Sequence, residues 1–241
     1  MGKDRIFSVR RRRLEDFNFG SRTAAVFDGM LDRSVPFYAE IQRMIGEIAA
    51  DFAIEGTNAY DLGCSTCNTF VAIDRWVPKD VRFIGIDSSA EMLQRGRSKI
   101  AKRRLRHTCK LLRADLNKPI QIENASLVIM NLTLQFVRPL YRHRLIENIA
   151  NGMNKDGCLV LIEKVLSRDS TLNRLFIDHY YAFKKRQGYS KLEISRKREA
   201  LENVLIPYRV EENRELLLKS GFTQCDVFFK WYNFCGMIAI K

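Results

Sequence analysis

Three aspartates stand where successive strand-like runs give out: Asp61 after Asn58-Ala59-Tyr60, Asp87 after residues 81–86, and Asp115 after residues 110–114, with Asn131 ending a fourth run. Carboxylates lined up on the carboxyl ends of adjacent parallel strands are how open α/β sheets hold a nucleotide-like ligand. Asp87 lies 24 residues beyond Gly63, where one carboxylate can accept both hydroxyls of a ribose. Asp115 is placed to accept from an adenine amino group, and Asp61 to face a cationic end. Each aspartate alone can serve as a turn or helix-capping residue; three at successive strand tips favour a ligand. The turn Gly63-Cys64-Ser65-Thr66-Cys67-Asn68 has one glycine, against the three that a pyrophosphate-binding turn uses to let backbone N–H groups close on phosphates. A nucleoside ligand without phosphates fits better, and S-adenosylmethionine is the obvious one.

The other reactive side chains suggest less. Asn131-Leu132-Thr133-Leu134 lacks the Asn/Asp-Pro-Pro-aromatic sequence of enzymes that methylate base amino groups, and no cysteine stands where a base-attacking nucleophile is expected. Cys64 and Cys67 have a redox or half-zinc spacing, but no second Cys or His pair accompanies them, so no metal is expected. His107, His143 and His179 are isolated and suit structural or surface roles. Arg198 is different. On a helix through 192–205, Ile194, Arg198, Leu201 and Leu205 share one face. An arginine on an apolar stripe either snorkels to water or meets a carboxylate bidentately, and spacing leaves both open.

The elements that position these residues follow from periodicity. Residues 1–22 form a basic N-terminal arm, and helices over 23–34 and 38–52, broken at Ser34-Val35-Pro36, form a lid (23–54) in front of the sheet. A cofactor-binding core spans 55–164. Its first strand ends at Tyr60, Asp61-Leu62-Gly63 makes a tight turn, and a helix opens at 66–71. Strands follow at 81–86, 110–114, 126–130 and 158–162, with a capped helix over about 90–106 and a turn at 154–157. Residues 165–208 read as a polar helical insertion, and 209–241 as a helix (211–219) and a hairpin of strands 224–231 and 236–240. Strands alternating with helices predict a Rossmann-like, mostly parallel sheet whose closing hairpin adds an antiparallel strand.

The bulk composition fits one such domain. The 241 residues are 46% hydrophobic, enough for a full core, and Lys plus Arg exceed Asp plus Glu by 41 to 28. The net charge of +13 favours anionic partners or simply solvated basic faces, among them Arg10–Arg13 and the 95–106 helix. Six scattered cysteines, no secretory leader and no apolar run of membrane-spanning length predict a soluble cytoplasmic protein with reduced thiols.

Beyond these patterns, several stretches are similar to a known family. Arg33-Ser34-Val35-Pro36-x-Tyr38, Tyr60-Asp61-Leu62-Gly63-Cys64-Ser65, Glu123-Asn124-Ala125-Ser126, Asn131-x-Thr133-Leu134-Gln135-Phe136, Gly188-Tyr189-Ser190-x-Leu192-Glu193-Ile194-Ser195 and Leu201-Glu202-Asn203-Val204 resemble the carboxy-S-adenosylmethionine synthases, from about Phe7 to the C-terminus. The resemblance implies a class I methyltransferase-like fold, a homodimer and a reaction in which S-adenosylmethionine is the substrate. Prephenate would lose CO2 and hydroxide, the sulfonium methyl would be deprotonated, and the ylide would capture the CO2. The product, carboxy-S-adenosylmethionine, would feed a separate enzyme that carboxymethylates the tRNA wobble uridine. Direct tRNA contact is compatible with the charge but not required.

The same resemblance implies ligand contacts at Tyr38, Gly63, Cys64, Ser65, Asp87, Ser88, Asp115, Leu116, Asn131 and Arg198. Arg198 would pair with the new carboxylate and is the candidate catalytic residue. Cys67 stands where the family commonly has a second glycine, in a turn one residue shorter, which predicts a narrower site near the amino-acid end of the cofactor. Two other readings remain: an S-adenosylmethionine-dependent RNA methyltransferase, and a non-catalytic RNA-binding module on the same scaffold.

Overall fold

Residues 20–241 are described by a computed structural model; of the basic arm expected over 1–22, residues 1–19, with Arg10–Arg13, lie outside the described residues, and the first helix already begins at Ser21. Two helices, α1 (Ser21–Ser34) and α2 (Tyr38–Phe52), precede the sheet. The chain then runs through β1 (Asn58–Leu62), α3 (Asn68–Ile73), β2 (Arg82–Asp87), α4 (Ala90–Arg103), β3 (Cys109–Arg113) and β4 (Ala125–Asn131). It continues through α5 (Pro139–Gly152), β5 (Met153–Leu166), α6 (Ser170–Arg186), α7 (Lys191–Leu201) and the two-residue β6 (Tyr208–Arg209). Helix α8 (Val210–Lys219) leads to the closing hairpin, β7 (Gln224–Trp231) and β8 (Phe234–Ile240).

The strand order is β3-β2-β1-β4-β5-β8-β7, with β6 pairing on β5. Strands β1 to β5 run parallel, and β8 enters antiparallel between β5 and β7. The order reverses direction at β1 and β4, the switch point where a parallel sheet opens a crevice for a ligand.

The period of two along each central strand decides which residues build which layer. On β4, Val128 and Met130 pack with Leu145, Ile146 and Ile149 of α5 and Leu217 of α8. Leu127 and Ile129 face the other way, onto Ile41 and Ile45 of α2, Phe70 of α3 and Leu93 of α4. Strands buried on both faces explain why these segments read as continuous apolar runs.

Several boundaries differ from the sequence reading. Strand β1 runs on through Asp61 and Leu62, so the turn is Gly63 to Cys67 and α3 begins at Asn68. Pairing with Gly85 and Ile129 keeps Asp61 extended. Strand β5 starts at Met153 rather than after a turn at 154–157, because Met153 already pairs with Ala125. Helix α4 ends at Arg103, before a left-handed Arg104. Its cap is Ser89, whose Oγ accepts from the Met92 N–H at 3.2 Å, while Glu91 accepts from the Ser89 hydroxyl rather than closing a capping box. The helix expected through 192–205 stops at Leu201.

Candidate active site

At the carboxyl ends of β1, β2, β4 and β5 lies a cavity of about 230 Å³, roofed by α1 and the start of α2. Tyr38, Asp61, Gly63, Cys64, Ser65, Asp87, Ser88, Asp115, Leu116 and Asn131 all line it.

Gly63 shapes the first turn. Its φ of +80° suits a residue without Cβ, and a Cβ there would lie 2.3 Å from Thr133 Oγ1. The next N–H groups turn toward β2: Ser65 donates to Asp87 Oδ2 at 2.9 Å, and Ser89 donates to Oδ1 at 2.8 Å. Asp87 is therefore fixed from both sides with lone pairs to spare. Burial raises its pKa, and the N–H groups of Ser89, Ser65 and Ser88 oppose that rise. Asp115 is held by the backbone and side chain of Asn117 at 2.9 and 2.8 Å, and the Asn117 N–H pulls its carboxyl below the ordinary range. Asp61, on β1 itself, is buried; burial and then the negative charge of Asp87 push it up to about 7, and a bond from Thr69 opposes them. Such a group gains from a cation beside it.

Cys67 replaces the expected second glycine by adopting a left-handed φ of 61° itself. Its side chain does not line the cavity; it is fully buried, and a Cβ on Gly96 of α4 would meet its Sγ at 2.6 Å. The Cys67 sulfur packs away from the ligand side, so that side chain does not itself narrow the site. Cys64 packs similarly against Gly85, and its thiol pKa is raised by its bond with Cys67 and then by burial. Among the described residues no His, Cys, Asp and Glu side chains cluster as a metal site.

The roof is tied to this turn by one ionic network. Lys99 of α4 donates to Asp28 Oδ2 of α1 at 2.7 Å, to Thr66 Oγ1 at 2.9 Å and to Asn68 Oδ1. Asp28 Oδ1 accepts from Thr66 at 2.6 Å and Asn68 at 3.1 Å. Tyr38 accepts from Gln42 at 2.9 Å and Asn68 at 3.4 Å, and burial pushes its pKa up to about 12, so it stays a neutral phenol over the cavity.

The turn after β4 is built on Glu163. Its carboxylate accepts from the N–H groups of Thr133, Leu134 and Gln135 at 3.1, 2.8 and 2.7 Å. Burial pushes Glu163 up to about 8 despite those donors and the nearby Arg142 guanidinium. Asn131 Oδ1, in the cavity wall, is a buried acceptor with no partner. A ligand that brings a donor to Asn131 and a cation to Asp61 removes both deficits. S-adenosylmethionine carries an ammonium, a sulfonium and ribose hydroxyls, so the residues present fit it.

The apolar helical face expected to carry Arg198 is corrected by the structure. The Arg198 side chain is exposed and does not line the cavity of its own chain. The buried residues of α7 are Ile194, Arg196, Lys197 and Ala200, so the face through Ile194 and Ala200 packs inward and Lys197 takes the position facing the cavity. Sequence reasoning also missed Lys164, which lines the same end of the cavity from β5. A signal existed: Glu163-Lys164 interrupts the otherwise apolar run 158–165. Of the histidines, His107 is fixed between Asp74 at 2.8 Å and the Pro78 carbonyl at 2.9 Å, away from the cavity.

Fold and site define a class I S-adenosylmethionine-dependent methyltransferase scaffold. A methyltransferase-domain family model matches residues 59–157. Among solved structures, an O-methyltransferase family protein of Burkholderia thailandensis aligns with a TM-score of 0.68 over 95% of this chain and 65% of its own, at 12% identity. The S-adenosylmethionine-dependent methyltransferase SibL aligns at 0.64 over 98% and 64%, with 18% identity. The sequence comparisons are narrower. The carboxy-S-adenosyl-L-methionine synthase of Methylococcus capsulatus is 54% identical over 100% of both chains, and that of Sulfurimonas denitrificans 46% identical over 99% of both. The chain belongs to the carboxy-S-adenosyl-L-methionine synthase family.

Proposed function

We propose that this protein converts S-adenosylmethionine and prephenate to carboxy-S-adenosylmethionine and phenylpyruvate. Prephenate breaks its bond to the carboxylate carbon, releasing CO2, and expels hydroxide as the ring aromatises. The sulfonium methyl gives a proton to that hydroxide, forming water, and the ylide carbon bonds to the CO2. No redox partner is needed. The observation that carries this reading is a single cavity with acids at one end and lysines at the other. Asp87 and Asp115 would hold the ribose and adenine, and Asp61 and Asn131 the amino-acid end. The product would serve a separate enzyme of tRNA wobble-uridine modification.

Arg198 belongs to this reading only across a dimer. Exposed on α7, it can meet a carboxylate in the cavity of a second chain, and Leu172 and Leu175 of α6 and Leu192 of α7 are exposed apolar side chains that an interface would cover. The test is turnover of S-adenosylmethionine with carboxyl-labelled prephenate, followed by mass spectrometry. The label is expected in a cofactor heavier by one CO2. The +13 charge favours a second reading, methylation of RNA, in which labelled methyl reaches bulk tRNA without prephenate.

A further inference from the structure

The end of the cavity away from Asp87 and Asp115 is cationic. Lys164, paired across β5–β8 with Phe234, points to the face opposite Glu163. Its ammonium sits 4.4 Å from the Tyr180 ring centroid and 5.6 Å from that of Phe234. No carboxylate among the described residues forms an ion pair with it. Lys197 reaches the same end from α7 and donates to Ser34 Oγ at 3.1 Å; that hydroxyl also pairs with Tyr189 at 3.0 Å. The Tyr180 hydroxyl is turned away, donating to the Ser34 carbonyl at 3.0 Å.

We propose that Lys164 and Lys197 form the subsite that receives a carboxylate of the CO2 donor, beside the sulfonium. An ammonium held at Lys164 among aromatic rings, with a second cation beside it, costs free energy, and an organic carboxylate relieves that cost. Aromatic rings alone do not account for Lys164, since cation–π contact offsets only part of the burial of an ammonium. The methionine tail of the cofactor carries its own carboxylate, and a loss of S-adenosylmethionine affinity in Lys164→Met would assign the lysines to that group and overturn the subsite. Lys164 is thus a substrate-positioning residue, distinct from the acids that hold the nucleoside.

Burial and then the charge of Lys197 bring Lys164 down to about 7. The groups facing it are Lys197 of α7, Tyr180 and, beyond that ring, Lys184 of α6, and Phe234 of β8. Its folded pKa lies below the usual lysine value, so it carries its charge below about pH 7 and loses it above.

This subsite rests on the proposed reaction, and the test separates the two. Prephenate KM and prephenate binding are measured at saturating S-adenosylmethionine for wild type, Lys164→Met and Lys164→Arg, from pH 6.5 to 8.5. Binding of S-adenosylmethionine and of carboxy-S-adenosylmethionine reports folding. Lys164→Met is expected to raise the prephenate KM roughly tenfold or more at low pH, with both cofactor affinities within about twofold. Wild type should lose prephenate affinity as pH rises, whereas Lys164→Arg, permanently charged, should bind with little pH dependence. An unchanged prephenate KM in Lys164→Met, or loss of carboxylated-cofactor affinity instead, overturns the subsite and leaves the reaction standing. Prephenate binding without turnover in wild type, weakened by Lys164→Met, supports the subsite and overturns the reaction. No prephenate binding at all overturns both.

Discussion

Asp61 is the residue whose chemistry most constrains the cofactor. Its folded pKa of about 7 is above its ordinary 3.8, so the folded state prefers it protonated. That contribution to stability is fully present below 3.8 and is lost as pH rises through about 7. A cofactor ammonium beside Asp61 reverses the preference, because binding then expels the proton. Calorimetry should show S-adenosylmethionine binding about tenfold weaker at pH 6 than at pH 8, with proton release near pH 6. Asp61→Asn should remove that slope; an unchanged slope would mean that another group accounts for it. Arg198→Ala should eliminate carboxylated product while S-adenosylmethionine affinity stays within about twofold. Equal loss of both would make Arg198 structural. The acids at the strand tips were readable because each ends an apolar run. The cations were not: a helical wheel extended to 205 turned Arg198 inward, whereas α7 stops at Leu201 and buries Lys197.

Among the elements, α1 packs Ala24, Phe27 and Met30 onto Met92 of α4 and Ala200 of α7, and one ionic clamp ties it to the first turn. Asp28 joins α1 to Lys99 of α4 and to Thr66 and Asn68 of the first turn. Burial alone would raise the Asp28 pKa, but the bonds from Lys99, Thr66 and Asn68 bring it below its ordinary value. The Asp28 side chain is 41% exposed, so solvent screens part of this interaction. Asp28→Ala should weaken cofactor binding by about fivefold, near 1 kcal/mol, with a small loss of thermal stability. Unchanged affinity would show that the roof does not depend on the clamp. The helices of the roof and the parallel core were legible from periodicity. The start of β5 was not, because Asn154-Lys155-Asp156-Gly157 has the composition of a turn and only pairing with β4 makes Met153 a strand residue. The fit of Cys67 was equally hidden, since its clearance is supplied by Gly96, on a different element.

For the whole molecule, the fold alone is shared with methyltransferases at 12% and 18% identity, and their chemistry differs with the site rather than the scaffold. The proposed chemistry rests on Asp61, Asp87 and Asp115 sharing one cavity with Lys164 and Lys197. With Arg198 facing outward, the whole-molecule account needs two chains per functional unit. Light scattering should give twice the mass of one chain, and a monomer with full activity would remove Arg198 from the site. No described helix is long and apolar enough to cross a membrane. The most direct test of the central claim is mass spectrometry of cofactor after incubation with S-adenosylmethionine and carboxyl-labelled prephenate. The account predicts a labelled cofactor heavier by one CO2, together with phenylpyruvate. Unchanged S-adenosylmethionine, or methyl transferred to added tRNA without prephenate, would contradict it.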